Sequence, residues 1–259
     1  MDFGQFSIFA PMEKNKTGIA TVVKHTGSHY MLSRLPAWDV FPAVITGKLR
    51  LKDFDSTNPV AVGDRVEFES PEGGGTSVIK SILPRKNCII RKSANLSRQS
   101  HVIASNLDRV FLVVTLKHPE VKMQFVDRFL VTCQAYNVPV TILINKTDLY
   151  GEEEKPRVEK LKEIYGKAGY EIMELSAATG ENTGLLKEAC NGRIVLFSGQ
   201  SGVGKSSIIN ALDPALTLRT EEISEYHCRE SIPPLFMKCI RFLPEDSLSI
   251  CRASGVSAS

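Results

Sequence analysis

Eight consecutive residues, Gly199-Gln200-Ser201-Gly202-Val203-Gly204-Lys205-Ser206, fit the pattern G-x-x-x-x-G-K-[ST]. Glycines at these positions let the backbone curl so that successive N–H groups and a helix N-terminus face an anion. Lys205 is then placed to bridge the β- and γ-phosphates of a nucleotide. The Ser206 hydroxyl is placed to ligate Mg²⁺, and Ser207 completes the phosphate site. A glycine-rich turn with a chance lysine would carry the same letters. The flanks argue against it: the apolar strand Arg193 to Phe197 precedes the loop, and the helical run Ser207 to Leu212 comes directly after it.

A phosphate loop does not say which base is held. Asn145-Lys146-Thr147-Asp148 supplies that information, coming after the apolar strand Val140 to Ile144 at the end where α/β sheets bind ligands. The spacing matches the N-K-x-D by which GTPases read guanine. The Asp148 carboxylate can accept from guanine's ring N–H and its exocyclic amine, and adenine offers no such donor pair. A solvated turn after a strand could also read NKTD, but its joint occurrence with a phosphate loop makes coincidence a poor explanation. Ser176-Ala177, after the strand Glu171 to Leu175, adds a third base-side segment: a backbone N–H there would meet the guanine oxygen.

Such motifs need a sheet to hold them. From about residue 105 the chain alternates buried strands (Arg109 to Thr115, Val138 to Ile144, Glu171 to Leu175, Arg193 to Phe197) with amphipathic helices, which predicts an α/β fold with a parallel sheet. Val121, Phe125, Phe129 and Cys133 recur at helical spacing, as do Val158, Leu161 and Tyr165. Residues 17 to 92 read instead as short strands: Ile19 to Val23, Ala43 to Ile45, Lys48 to Leu51, Arg65 to Glu69 and Ser77 to Ile82, separated by turn-forming clusters. They predict a small closed barrel of the oligonucleotide-binding (OB) type, and an SH3-like barrel fits the strand count equally well.

At 259 residues, 42% hydrophobic, the chain has apolar content for two such units. It has no basic leader and no apolar run long enough for a signal peptide or membrane helix, so a cytoplasmic protein without a membrane partner, and a monomer, are expected. Its six cysteines lack C-x-x-C pairing, which argues against disulfides and compact zinc sites. Charge is uneven: residues 1 to 100 hold 14 Lys+Arg against 9 Asp+Glu. No acidic residue falls between Gly73 and Leu107, while Lys80, Arg85, Lys86, Arg91, Lys92 and Arg98 do. Such a stretch attracts polyanions, and Arg85, Lys86, Arg91 and Lys92 are the expected RNA contacts.

In ordinary GTPases the phosphate loop precedes the base motif; here the base motifs come first. With a barrel in front, this permuted order resembles the RsgA (YjeQ) family of circularly permuted, ribosome-assembly GTPases. The resemblance runs from residue 17 to about 227 through Val60-Ala61-Val62-Gly63-Asp64-Arg65-Val66, Arg85-Lys86-Asn87, Ala104-Ser105-Asn106-Leu107-Asp108, Leu218-Arg219-Thr220 and Glu222-Ile223-Ser224. It implies a GTP/GDP- and Mg²⁺-dependent GTPase assisting late maturation of the small ribosomal subunit. The barrel and basic junction would bind rRNA, and GTP hydrolysis would be linked to release. The implied organisation is an extension 1–16, an OB domain 17–95, a permuted GTPase domain 96–227 and a tail 228–259.

The tail departs from the family. Its G-x-H-T-T-T switch, its D-T-P-G segment and its zinc-binding helical domain are missing, and no D-x-x-G comes after Lys205. His227, Cys228, Cys239 and Cys251 are too widely spaced for a compact zinc site. Back-translating Arg229 to Ser259 and reading two bases later permits G-I-H-T-T-T-F-H-E-M-Y-P-V-S-A-G-G-F-L-I-D-M-P-G, which restores both motifs except for Met where the family has Thr. A frameshift is therefore expected. Its consequences would be a poorly ordered tail, a phosphate-loop strand left at the sheet edge and turnover weaker than binding. The other readings are a hydrolysis-defective RNA- and nucleotide-binding protein, and a small-molecule phosphotransferase with an ATP-type loop.

Overall fold

Alternation builds the first unit. In the computed structural model, which describes residues 16–26, 29–35, 39–45, 59–71, 74–92, 100–213, 238–242 and 248–252, Lys16–Thr26 (β1), His29–Arg34 (β2), Asp39–Ile45 (β3), Arg65–Ser70 (β4) and Ser77–Ile82 (β5) close into a barrel of order β1-β2-β3-β5-β4. Along β4, Val66 and Phe68 point inward while Arg65 and Glu67 face solvent. They meet Ala20, Val22, Tyr30, Leu32, Ala43 and Ile79 in one core. Each large apolar side chain there contributes about 1.5–3 kcal/mol on burial. The β3·β5 pair is parallel, which selects the OB type over an all-antiparallel SH3-like barrel. One expectation fails in detail: β2 is absent from the predicted strands. Tyr30 and Leu32 bury at period two, but Met31 between them removes the polar contrast that marks an alternating strand. Lys48 to Leu51 lies outside the described residues.

Cys88–Lys92 (β6) and Ser100–Ser105 (β7) pair as an antiparallel ribbon, so the boundary expected at 95/96 falls between two paired strands. A buried polar cluster ties the barrel to residues 105–107 at the end of this ribbon. Asp64, wholly inaccessible, accepts from Arg85 Nε and Nη2 at 2.7 Å each, from Ser105 Oγ at 2.6 Å and from Ala61 N–H at 2.8 Å. Asn87 donates to Leu107 O and accepts from Leu107 N–H, and Asn106 donates to Gly63 O. A glycine is required at residue 63: its φ is +91° and a Cβ would lie 2.0 Å from Ser105 O.

Arg109–Val114 (β8), Val140–Ile144 (β9), Glu171–Glu174 (β10) and Ile194–Ser198 (β11) form the parallel part of a sheet ordered β10-β9-β8-β11-β12-β13. Val110 to Val114 are all fully buried, because helices Met123–Ala135 (α1), Lys155–Lys167 (α2), Thr183–Cys190 (α3) and Lys205–Leu212 (α4) cover the sheet. On α1 the expected Phe129 and Cys133 are buried with Val126 and Leu130, and Phe125 packs partly against the core. Pro156 in the first turn of α2 suits a position whose N–H has no helical partner.

The C-terminal expectation is corrected in part. Lys238–Phe242 (β12) pairs antiparallel with β11, and Leu248–Arg252 (β13) pairs with β12. The phosphate-loop strand is therefore interior: its free N–H and C=O row is met by β12, as an unpaired edge demands. The other residues after 213, among them Leu218 to His227, lie outside the described set.

Candidate functional site

Four parallel strands end on the same edge, so β8, β9, β10 and β11 deliver four loops to one place: 115–121, 145–150, 175–181 and 199–204. Every expected nucleotide-site residue lies on the last three or in the first turn of α4. The 115–121 loop was not foreseen from sequence.

Asn145, 1% exposed, ties the base side to the phosphate side. Its Nδ2 donates to Val203 O at 2.8 Å, and its Oδ1 accepts the Ala177 N–H at 3.2 Å. Ser176 Oγ donates to Asp148 Oδ1 at 2.5 Å, orienting a carboxylate that remains exposed. Thr147 Oγ1 donates to Glu181 Oε2. Lys146 sits at φ +67° and its ammonium donates to Gly202 O at 2.8 Å and to His118 O. Burial lowers its pKa, opposed by the nearby Asp148 carboxylate. The sequence motifs, 58 residues apart for Asn145 and Val203, thus form one hydrogen-bonded unit.

The phosphate loop has the geometry that its glycines permit. Gly199, Gly202 and Gly204 have φ of +149°, +79° and +96°. A Cβ on Gly204 would fall 2.3 Å from Asn145 Nδ2, and one on Gly199 2.4 Å from Val113 O. Lys205 Nζ donates to Gly199 O at 2.9 Å and Gln200 O at 2.6 Å, so the ammonium is held at the loop mouth. Ser206 is 5% exposed in the first turn of α4, with Ser207 beside it. The glycine cradle and the oxygen of Ser206 beside Lys205 fit an Mg²⁺-nucleotide; Mg²⁺ favours oxygen ligands and keeps several waters. Gln200 and Ser201 complete the turn. No cluster of three or more His, Cys, Asp or Glu able to hold a metal occurs among the described residues.

The loop missed by sequence reasoning, 115–121, lies against the phosphate loop: Pro119 Cδ is 3.2 Å from where a Gly202 Cβ would be. Thr115 Oγ1 donates to Pro119 O at 2.5 Å. Glu120 pairs with Arg157, and Lys117 with Glu154 at 3.3 Å. No motif marks these residues: the Thr115–Pro119 bond is a local turn contact, and Glu120 and Lys117 act through partners 37 residues away.

The expected RNA contacts divide. Arg85 is committed to Asp64, with its side chain 18% exposed, and Lys86 Nζ lies 3.3 Å from Asp108. Lys80 pairs with Glu69. Folding brings acids from outside the 73–107 stretch opposite three of its cations, and Arg85 takes a structural role through its pair with Asp64. The side chains of Arg91 and Lys92 lie outside the described residues, and so does Arg98. No helix among the described residues is long and apolar enough to cross a membrane.

A sequence model of the RsgA GTPase family matches residues 82–229. The small ribosomal subunit biogenesis GTPase RsgA of Bacteroides fragilis is 49% identical over 206 residues, covering 80% of this chain and 66% of its own length. Its counterpart from Azobacteroides pseudotrichonymphae is 40% identical over 235 residues, covering 91% and 75%. Among solved structures, YjeQ from Thermotoga maritima superposes with a TM-score of 0.68 at 30% identity, over 91% of this chain and 74% of that one. The circularly permuted GTPase YloQ, 24% identical with a TM-score of 0.60 over 80% of this chain and 67% of its own, shares the fold. The chain spans just under two thirds of the length of the Bacteroides fragilis relative.

Proposed function

The chain belongs to the RsgA GTPase family, and on that premise we propose that it binds GTP and GDP between the 145–148 and 199–206 loops, hydrolyses GTP, and assists maturation of the small ribosomal subunit. The observation that supports this reading is the joint Asn145 contact with Val203 and Ala177, which ties the 145–150, 175–181 and 199–204 loops together at one edge of the sheet. Asp148 would accept from guanine's N1–H and 2-amino group. The Ala177 side of the 175–181 loop would meet the guanine oxygen, and the 199–206 backbone would donate to the phosphates with Lys205 neutralising their charge. Ser206 would hold Mg²⁺, which when bound supplies charge neutralisation for phosphoryl transfer. The barrel with the basic residues Lys86, Arg91 and Lys92 is the proposed rRNA-binding side, a reading that relatives named as small-subunit biogenesis GTPases support; the protein is further proposed to be cytoplasmic and monomeric. GTP turnover measured with and without purified small subunits tests the reading. Stimulation by the subunits is expected, and binding without turnover in either condition would favour a hydrolysis-defective RNA-binding protein.

For residues 228–259 the proposal is a shifted reading frame. The family match ending at residue 229 supports it, as does the recovery of both motifs in the alternative frame. Resequencing the gene across codon 228 tests it: an intact frame shared with close relatives would overturn it.

A further inference from the structure

Tyr150 stands two residues beyond the base motif and carries no assigned role. Its half-buried hydroxyl donates to Asn145 O at 2.6 Å and accepts the Leu116 N–H at 3.0 Å. One oxygen thus bridges the backbone of the 115–121 loop to the residue whose side chain spans Val203 and Ala177. Burial of the phenol pushes its pKa up, with the bond from Leu116 opposing, so the group stays a hydroxyl able to donate and accept at once. The 115–121 loop in turn touches the phosphate side, because His118 O and Gly202 O share the Lys146 ammonium. The ring Tyr150–Asn145–Val203–Gly202–Lys146–His118–Leu116 is closed by bonds, and the phenol is the one side chain in it that is outside both sequence motifs.

We propose that Tyr150 is a positioning residue for guanine recognition, its hydroxyl fixing the 145–148 backbone against the 115–121 loop so that Asp148 meets the base in register. The proposal rests on the nucleotide reading above. Two hydrogen bonds accepted by Asp148 from one base edge need angular accuracy that a solvated turn does not hold by itself. Asp148 is anchored on one side by Ser176 and, through the 145–150 turn, by Tyr150 on the other. A base lacking the 2-amino group makes one of those two bonds and is less sensitive to the angle.

Tyr150→Phe keeps the ring and removes the bridge. In the full chain, affinities for GDP and IDP are measured by competition against a fluorescent GDP, well below the melting temperature. The expected result is about a tenfold loss for GDP and a smaller loss for IDP, so that the GDP/IDP affinity ratio falls about threefold or more. Tyr165→Phe serves as control. That tyrosine donates to Asp127 Oδ1 at 2.7 Å, between α1 and α2 and outside the site, so its loss lowers stability without moving the ratio. An unchanged ratio in Tyr150→Phe, with wild type binding guanine normally, overturns this proposal alone. Failure of wild type to bind GDP overturns the nucleotide reading as well. Should Tyr150→Phe not fold, hydrogen exchange of wild type decides: GDP is expected to slow exchange of the Leu116 amide at least threefold, and no slowing refutes the coupling.

Discussion

Asp64→Asn replaces a carboxylate by an amide of the same shape inside the cluster that joins barrel to sheet. The carboxylate accepts four hydrogen bonds, two from Arg85 and one each from Ser105 and Ala61. An amide presents N–H donors where one carboxylate oxygen stood, so at least one donor faces a donor, and the Arg85 guanidinium keeps its charge without a counterion. Breaking a buried pair by removing one partner costs about 3–5 kcal/mol. For a unit of roughly 200 residues, each kcal/mol lowers Tm by about 2–4 °C. The expected fall is therefore about 6–20 °C by circular dichroism melting. The double replacement Asp64→Leu with Arg85→Met removes both charges and should recover part of the loss, the Ser105 hydroxyl and Ala61 N–H being left without their acceptor. A fall under about 2 °C, or a double variant no more stable than the single one, would refute the assignment of Arg85 to structure. It would return this arginine to the set of RNA contacts.

Gly204→Ala meets two obstacles, a φ of +96° and the Asn145 amide 2.3 Å from the new Cβ; nucleotide affinity by calorimetry should fall about a hundredfold or more, since both the strain and the lost Asn145–Val203 bond act at the site. Burial pushes the Cys133 thiol up to about 12 and the Cys190 thiol upward as well. Peptide mapping after iodoacetamide at pH 8 should find both unmodified in the native protein and modified in guanidinium. Binding to small-subunit RNA should weaken steeply with salt, and neutralising Arg91 and Lys92 together should reduce the log–log slope by about 2, read by filter binding across a salt series, with no such change for Arg85→Ala.

How legible each feature was in the sequence depends on how far apart its partners lie. The phosphate loop was legible because its constraints are local: Gly199, Gly202 and Gly204 need positive φ, and strand and helix flank them directly. Asn145 to Asp148 were legible for the same reason, yet the bond from Asn145 to Val203 that unites the motifs was not, since it spans 58 residues. Arg85 read as an RNA contact because its surroundings in sequence are basic. Its partner Asp64 lies 21 residues away and reaches it only when the barrel closes. Tyr150 and the 115–121 loop carried no signal at all, because a hydroxyl bonding two backbone groups imposes no spacing on the chain. On the sheet, the pairing of β12 with β11 depended on a segment with no resemblance to the family to guide it.

Guanine selectivity at the joint between the two motifs is most directly read by displacing a fluorescent GDP from the full chain with GTP, GDP and ATP, in wild type and in Asp148→Asn. The geometry at Asp148, Ala177 and the phosphate loop predicts that GTP and GDP compete at least a hundredfold better than ATP, and that Asp148→Asn weakens the guanine nucleotides by about 10- to 100-fold while leaving ATP unaffected. Equal competition by ATP and GTP, or guanine affinity indifferent to Asp148, would contradict it.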